Sequence, residues 1–213
     1  MRPVLYSYFR SSCSYRVRIA LYLKNIDFTY KAIPLLEQKQ KTREYLSLNP
    51  KGEVPCLIDG DLAISQSMAI IQYLDKKTPH PPLFPGQAEN LALCLQLCEL
   101  VGTGIQPLQN IGVLAYLTKE YSLTPTQKNN WITHWIFNGF VALEKVLQKS
   151  AGTHCVRDNI TAADLFLIPQ IYNARRFNVK MDDFKNILRV EKNCLGHPAF
   201  IQASPANSPD SPE

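Results

Sequence analysis

The chain has 213 residues, 46% of them hydrophobic and 19% charged, which excludes a mainly disordered polypeptide and allows one large domain or two small ones. Its 23 Lys and Arg exceed 18 Asp and Glu by a formal +5, and residues 1–78 hold 12 of the former and 7 of the latter. That excess is too thin for a nucleic-acid binder, no apolar run approaches the roughly 18–20 residues of a membrane span, and the N-terminus turns polar too early for a signal peptide. The expected location is the cytoplasm. The basic first third suits a small anionic ligand, although an ordinary solvated surface accounts for the charge equally well.

Residues 4–8 read as a strand followed by a short polar turn. Residues 15–23 place apolar side chains at 15, 19, 20, 22 and 23, a helical face. Residues 28–33 alternate as a strand, and 42–48 form a short helix stopped by Asn49-Pro50. Residues 54–58 and 61–64 are strands around an Asp59-Gly60 turn. An apolar helix follows at 67–74, with Ser65 or Ser67 as its cap. This order, βαβαββα, is the layout of an α/β thioredoxin-like domain spanning residues 1–78.

Four prolines in residues 78–86 mark a break, and 79–86 read as a linker. From 87 to 213 three- and four-residue apolar spacing dominates, as at Leu91, Cys94, Leu95 and Cys98, so an all-helical domain of five or six helices is expected. Thr161 and Asp164 form a capping box, whose loss at Asp164 is expected to cost about 0.5–2 kcal/mol. Pro169, inside the helix that follows, is expected to bend it. The tail from about 204, rich in Pro, Ser and Asp, is expected to fray.

Six cysteines, at 13, 56, 94, 98, 155 and 194, show no zinc-ligand spacing with the histidines, and Cys94 and Cys98, four apart in an apolar helical pattern, read as core thiols. The first turn carries the chemistry. Ser11 and Ser14 stand where thioredoxin-like redox proteins place two cysteines, so dithiol exchange is not expected. A hydroxyl there can still donate to a thiolate brought in by a ligand, and a helix N-terminus favours the anion. Plain N-capping explains the same serine. Val54-Pro55, in cis, would present the valine backbone to an extended peptide, while trans is the usual state at a strand edge. Gln66-Ser67 would hold a carboxylate at a helix start, or simply cap it.

Taken together, these pieces resemble the zeta class of the cytosolic glutathione transferases. The stretch from Tyr8 through Ser11, Ser12 and Cys13 to Leu21 is similar to that class's signature, with Tyr15 where tryptophan is common. Asn49-Pro50, Val54-Pro55, Gln66-Ser67, the segment around Gln106 and Asn110, Asn173 to Phe177 and His197-Pro198 are similar too, so the resemblance covers nearly the whole chain. It implies glutathione as cofactor. Ser11, Ser12 and Cys13 would surround its sulfur and Val54 would pair with its cysteinyl part. Gln66 and Ser67 would hold the γ-glutamyl end, and Gln40 would lie near the glycyl end. Gln106 and Asn110 would line the cleft between domains, and Arg176 would bind a substrate carboxylate, with the adjacent Arg175 as its rival. A homodimer is implied as well.

The implied activity is the cis–trans isomerisation of maleylacetoacetate to fumarylacetoacetate in phenylalanine and tyrosine degradation. Such a reaction needs an ionised sulfur near pH 7, a grip on a dicarboxylate-like diketo acid, and donors for an enolate oxygen. Cys13 is a second nucleophile, a polarising neighbour or only a small residue in a tight turn. Conjugation of haloacids or other electrophiles is the nearest alternative, followed by a non-catalytic adaptor.

Overall fold

The structure is a computed structural model and describes residues 2–212; Met1 and Glu213 lie outside that range. Two compact units divide the chain, one of Met1–Pro82 with Leu195–Glu213, the other of Leu83–Cys194.

The first unit runs β1 (Val4–Ser7), α1 (Ser12–Leu23), β2 (Thr29–Ala32), two 3-10 turns, α2 (Arg43–Leu48), β3 (Cys56–Asp59), β4 (Leu62–Ser65) and α3 (Ser67–Lys77). The sheet order is β2-β1-β3-β4, with β1 parallel to β2 and antiparallel to β3, as in a thioredoxin-like domain. Leu5 and Leu57, paired across β1 and β3, are fully buried, as are Ile19 and Ala20 of α1 and Ile70 and Ile71 of α3, two helices that pack on each other. The hairpin turns through Gly60 at φ +61°, a conformation that glycine adopts without strain. The cap of α3 is neither Ser65 nor Ser67 but Gln66.

The C-terminal segment corrects the expected boundary. Residues 195–213 cluster with the first unit rather than with the helices before them. There α9 (Pro198–Gln202) lies on α1: the Tyr15 hydroxyl donates to the Phe200 carbonyl at 3.0 Å and Arg18 Nε to the Ala203 carbonyl at 2.9 Å. Phe200 and Ala203 are fully buried. Nor does the tail fray where it is described. Ser208 is buried, and the Asp210 carboxylate accepts the Phe9 amide at 3.1 Å and the Tyr30 hydroxyl at 2.5 Å. Periodicity cannot reveal such an anchor, because its partners lie some two hundred positions away.

The second unit holds α4 (Ala88–Gly102), a 3-10 turn (Gln106–Gln109), α5 (Ile111–Tyr121), α6 (Pro125–Ser150), α7 (Ala162–Arg176) and α8 (Lys185–Cys194). Its core is α7, buried along most of its length, with α4 and α8 packed on it and α6 packed on both of these. A Cβ on Gly139 would stand 2.3 Å from the Ile105 side chain, so α6 needs glycine at that approach. The helix runs through Pro169 without a break in its assigned range. The helical stretch Ala88–Gln109 is, by length and composition, apolar enough to cross a membrane, contrary to the sequence expectation. In this fold its Cys94, Leu97, Cys98 and Val101 form the buried face.

The capping box of α7 is present and does more than cap. Asp164 Oδ2 accepts the Thr161 amide at 2.8 Å and its hydroxyl at 3.1 Å, while Oδ1 accepts the Cys155 amide at 2.9 Å. His154 Nδ1 and Cys194 Sγ approach the same oxygen at 3.8 and 3.7 Å.

Candidate functional site

The first turn is built by β1 running directly into α1. Ser11 sits at the N-cap with extended backbone, φ −70° and ψ 114°, and its side-chain oxygen accepts the Ser14 amide at 3.2 Å. That contact uses an oxygen lone pair and leaves the hydroxyl proton free to donate. The Ser11 carbonyl takes the Tyr15 amide at 2.9 Å, so the amides of Ser12 and Cys13 are left without an acceptor among the described residues. Cys13 is half-buried, while the other five cysteines are buried. One hydroxyl, two open amides and the positive end of a twelve-residue helix therefore stand together, an arrangement that stabilises an anion.

The start of α3 is joined to this turn. Arg16, on α1 and only 2% exposed, donates from Nη1 to the Ser67 hydroxyl at 3.1 Å. Gln66, which opens α3, has φ +72° and ψ 117°, where a side chain costs on the order of 1–3 kcal/mol. Strain of that size at a helix N-terminus is retained only where the surroundings enforce it.

Val54 precedes a cis Val54-Pro55 bond and packs with Ile33, Tyr45 and Cys56. Its backbone has no hydrogen-bond partner among the described residues, whereas the Glu53 carbonyl beside it accepts both the Tyr45 hydroxyl at 2.6 Å and Asn49 Nδ2 at 2.7 Å. Gly52, at φ +63°, allows this loop to pass the Gln40 carbonyl, which a Cβ would meet at 2.7 Å. Gln40 is 7% exposed, and its Oε1 is buried without a partner among the described residues. Ser11, Ser12, Cys13, Gln40, Val54, Gln66 and Ser67 thus all lie in the first unit.

Gln106, Asn110 and Arg176 lie in the second. Gln106 opens the 3-10 turn, half-buried, and Asn110 spends its side chain capping α5 through the Gly112 amide at 2.8 Å. Arg175 makes a two-pronged ion pair with Glu191 on α8, Nε to Oε1 at 2.9 Å and Nη2 to Oε2 at 2.5 Å. Arg176, next along α7, is exposed and its guanidinium lies 4.8 Å over the Phe177 ring.

Some supporting residues escaped sequence reasoning. Arg16 and Tyr45 read there as ordinary members of two helices, and Asn49 as a helix stop; only the folded contacts show them fixing Ser67 and the loop before Val54. His154, Asp164 and Cys194 also meet, their ligand atoms within 4.8 Å of one another, a set that could hold a metal ion. Residues so far apart in sequence give no spacing signal. The Asp164 oxygens already serve the Thr161 and Cys155 amides, which ties the cluster to the fold.

Residues 10–77 match the family model described as the N-terminal domain of glutathione S-transferases. The chain is 47% identical to the maleylacetoacetate isomerase of Dictyostelium discoideum, over 99% of its length and 96% of that protein. This chain belongs to the zeta class of glutathione transferases. Solved structures agree: a holo maleyl pyruvate isomerase, a bacterial zeta-class enzyme, superposes with TM-score 0.95 at 36% identity, covering 98% of this chain and 99% of that one. A maleylacetoacetate isomerase from Anaeromyxobacter dehalogenans with glutathione bound in its active site gives 0.89 at 36% identity, covering 99% and 98%. In this zeta-class chain the serine turn thus stands in the thioredoxin-like half, within the segment that the family model matches.

Proposed function

We propose that the chain is a glutathione-dependent cis–trans isomerase that converts maleylacetoacetate to fumarylacetoacetate in phenylalanine and tyrosine degradation. The observation that carries this reading is the Ser11 turn, where a hydroxyl with a free proton and two open amides cap α1. Kinship with isomerases over the whole chain supplies the reaction class. Glutathione, when bound, supplies a thiolate whose reversible addition to the alkene lets the former double bond turn.

Ser11 donates to that sulfur, and the amides of Ser12 and Cys13 keep it ionised near pH 7. Val54 offers its unpaired backbone to the cysteinyl part, Gln66 and Ser67 hold the γ-glutamyl end, and Gln40 uses its orphaned oxygen towards the glycyl end. Gln106 and Asn110 line the substrate side. Arg176, the match to the family's arginine, holds a substrate carboxylate, while Arg175 pairs with Glu191. The protein acts in the cytoplasm as a homodimer. Helix α5 buries none of its residues and exposes Ile111, Val113, Tyr116 and Tyr121, a surface suited to a second copy and testable by light scattering.

The deciding assay follows maleylacetone, a stable cis-diketo acid, with and without glutathione. Conversion only with glutathione supports the proposal. Binding of glutathione without conversion would move the reading to conjugation of haloacids or other electrophiles by the same turn. Neither binding nor conversion would leave a non-catalytic adaptor.

A further inference from the structure

The segment between β1 and α1 is held from two sides. Arg18, 1% exposed, donates from Nη1 to the Ser7 hydroxyl and the Tyr8 carbonyl, at 3.1 and 3.4 Å, and from Nη2 to the Phe9 carbonyl at 3.0 Å. From the other side comes a residue near the far end of the chain. Asp210 Oδ2 accepts the Phe9 amide, 201 positions away, and Oδ1 accepts the Tyr30 hydroxyl of β2. The strap carrying Asp210 is itself pinned: the Ser208 hydroxyl donates to the Ser204 carbonyl at 3.1 Å and Asn207 Nδ2 to the Ile201 carbonyl at 2.7 Å.

We propose that Asp210 is a positioning residue for the catalytic turn, fixing the Phe9 peptide and through it Ser11 and the open amides of Ser12 and Cys13. This rests on the reading of that turn as the glutathione-sulfur site. The link is short. The Ser11 amide closes a tight turn on the Tyr8 carbonyl at 3.0 Å, so the Phe9 peptide lies inside the loop that aims Ser11. Phe9 is 8% exposed, and its N–H would otherwise be a nearly buried donor in need of water. A carboxylate accepting an amide is a strong, directional contact, and the Tyr30 hydroxyl fixes the carboxylate's own orientation. Arg18 alone holds carbonyls and a hydroxyl; Asp210 adds the grip on the amide that stops the peptide plane from turning.

The proposal has a sign that a bystander would not have. Removing a negative charge near a thiolate by itself makes the thiolate easier to form, lowering its pKa. Loss of aim at Ser11 and the amides does the opposite. The test compares the wild type with Asp210→Ala and Tyr30→Phe, the second leaving the Asp210 contact to Phe9 in place but unsteadied. Amide hydrogen exchange in the glutathione-free protein is expected to speed up at Phe9, Ser11 and Ser14, whose amides are bonded in the turn, in Asp210→Ala, and to a smaller extent in Tyr30→Phe. The ultraviolet titration of bound glutathione is expected to shift upward by about one pH unit in Asp210→Ala, roughly a tenfold smaller ionisation constant. Glutathione affinity by calorimetry should stay near wild type, since Val54, Gln66 and Ser67 are untouched.

Unchanged exchange at Ser11 and Ser14, or a thiol pKa that stays or falls, overturns the role of Asp210. If Asp210→Ala does not fold, Tyr30→Phe with unchanged exchange across the turn overturns it equally. Should the wild type itself fail to bind glutathione, the functional reading falls, and the exchange measurement alone then decides whether Asp210 sets the turn.

Discussion

Cys13 occupies the first turn of α1 beside Ser12, half-exposed and two residues from the Ser11 hydroxyl. If Ser11 and the two amides hold the thiolate as proposed, Cys13→Ala is expected to keep most of the isomerase activity, within about threefold in kcat/KM, a difference under 1 kcal/mol. Steady-state kinetics with maleylacetone decide it, and complete loss would make the cysteine a reacting group. The two arginines at the end of α7 separate in the same assay. Arg176→Ala is expected to raise KM for the diketo acid roughly 10- to 100-fold, the worth of one charge-assisted contact. Arg175→Ala should leave KM alone and cost up to about 1 kcal/mol of stability, since it only breaks the partly exposed pair with Glu191. Sequence reading could not show that Arg175 pairs with a carboxylate sixteen positions away on α8. It did bring out Ser11, Val54 and Gln66, whose residue types sit at the junctions of a legible strand–helix pattern. Asp210 stayed hidden in a tail that composition alone marks as frayed.

At the level of elements, the α7 cap shows how a local motif becomes a tertiary one. The capping box was readable from Thr161 and Asp164, but the second oxygen of Asp164 serves the loop amide of Cys155, which no local pattern announces. Asp164→Ala therefore leaves the buried amides of Thr161 and Cys155 both unpaired. At about 1–3 kcal/mol each, a loss on the order of 3–5 kcal/mol is expected in urea unfolding, above the range of a simple cap. The β3–α3 contact adds a pH dependence. Lys77 and, less strongly, Tyr73 donate to Asp59 and hold its carboxyl below the ordinary range. A depressed carboxylate contributes stability that is present above the unfolded value, about 3.9, and is lost as pH falls through the lower folded one. Urea midpoints of wild type and Asp59→Asn should converge below about pH 4 and separate above it. The order of strands and helices along the chain came through in the sequence because alternation and a Gly60 turn are local. The cap of α3 did not, since Gln66 stands there at a positive φ that its residue type does not advertise.

Across the whole molecule, the first compact unit is discontinuous: Met1–Pro82 is completed by Leu195–Glu213. Phe200 is fully buried on it, Tyr15 and Arg18 donate to the carbonyls of Phe200 and Ala203, and Asp210 takes the Phe9 amide. A fragment of residues 1–82 is expected to lack a cooperative thermal transition, and the peptide 195–213 added in trans should restore one in part. Replacing Phe200 by Ala in the full chain should cost about 3–5 kcal/mol. A fragment that melts as sharply alone as with the peptide would show that the first 82 residues suffice.

This division also orders events on the ribosome. The helical unit, Leu83–Cys194, is contiguous and can close as soon as Cys194 has emerged. The glutathione-binding half is made first yet waits for residues 195–213, so the nascent chain carries an uncovered α1 throughout the synthesis of everything between. Emergence of this segment, rather than of the first 82 residues, is then the moment at which the proposed glutathione-sulfur turn takes its final form.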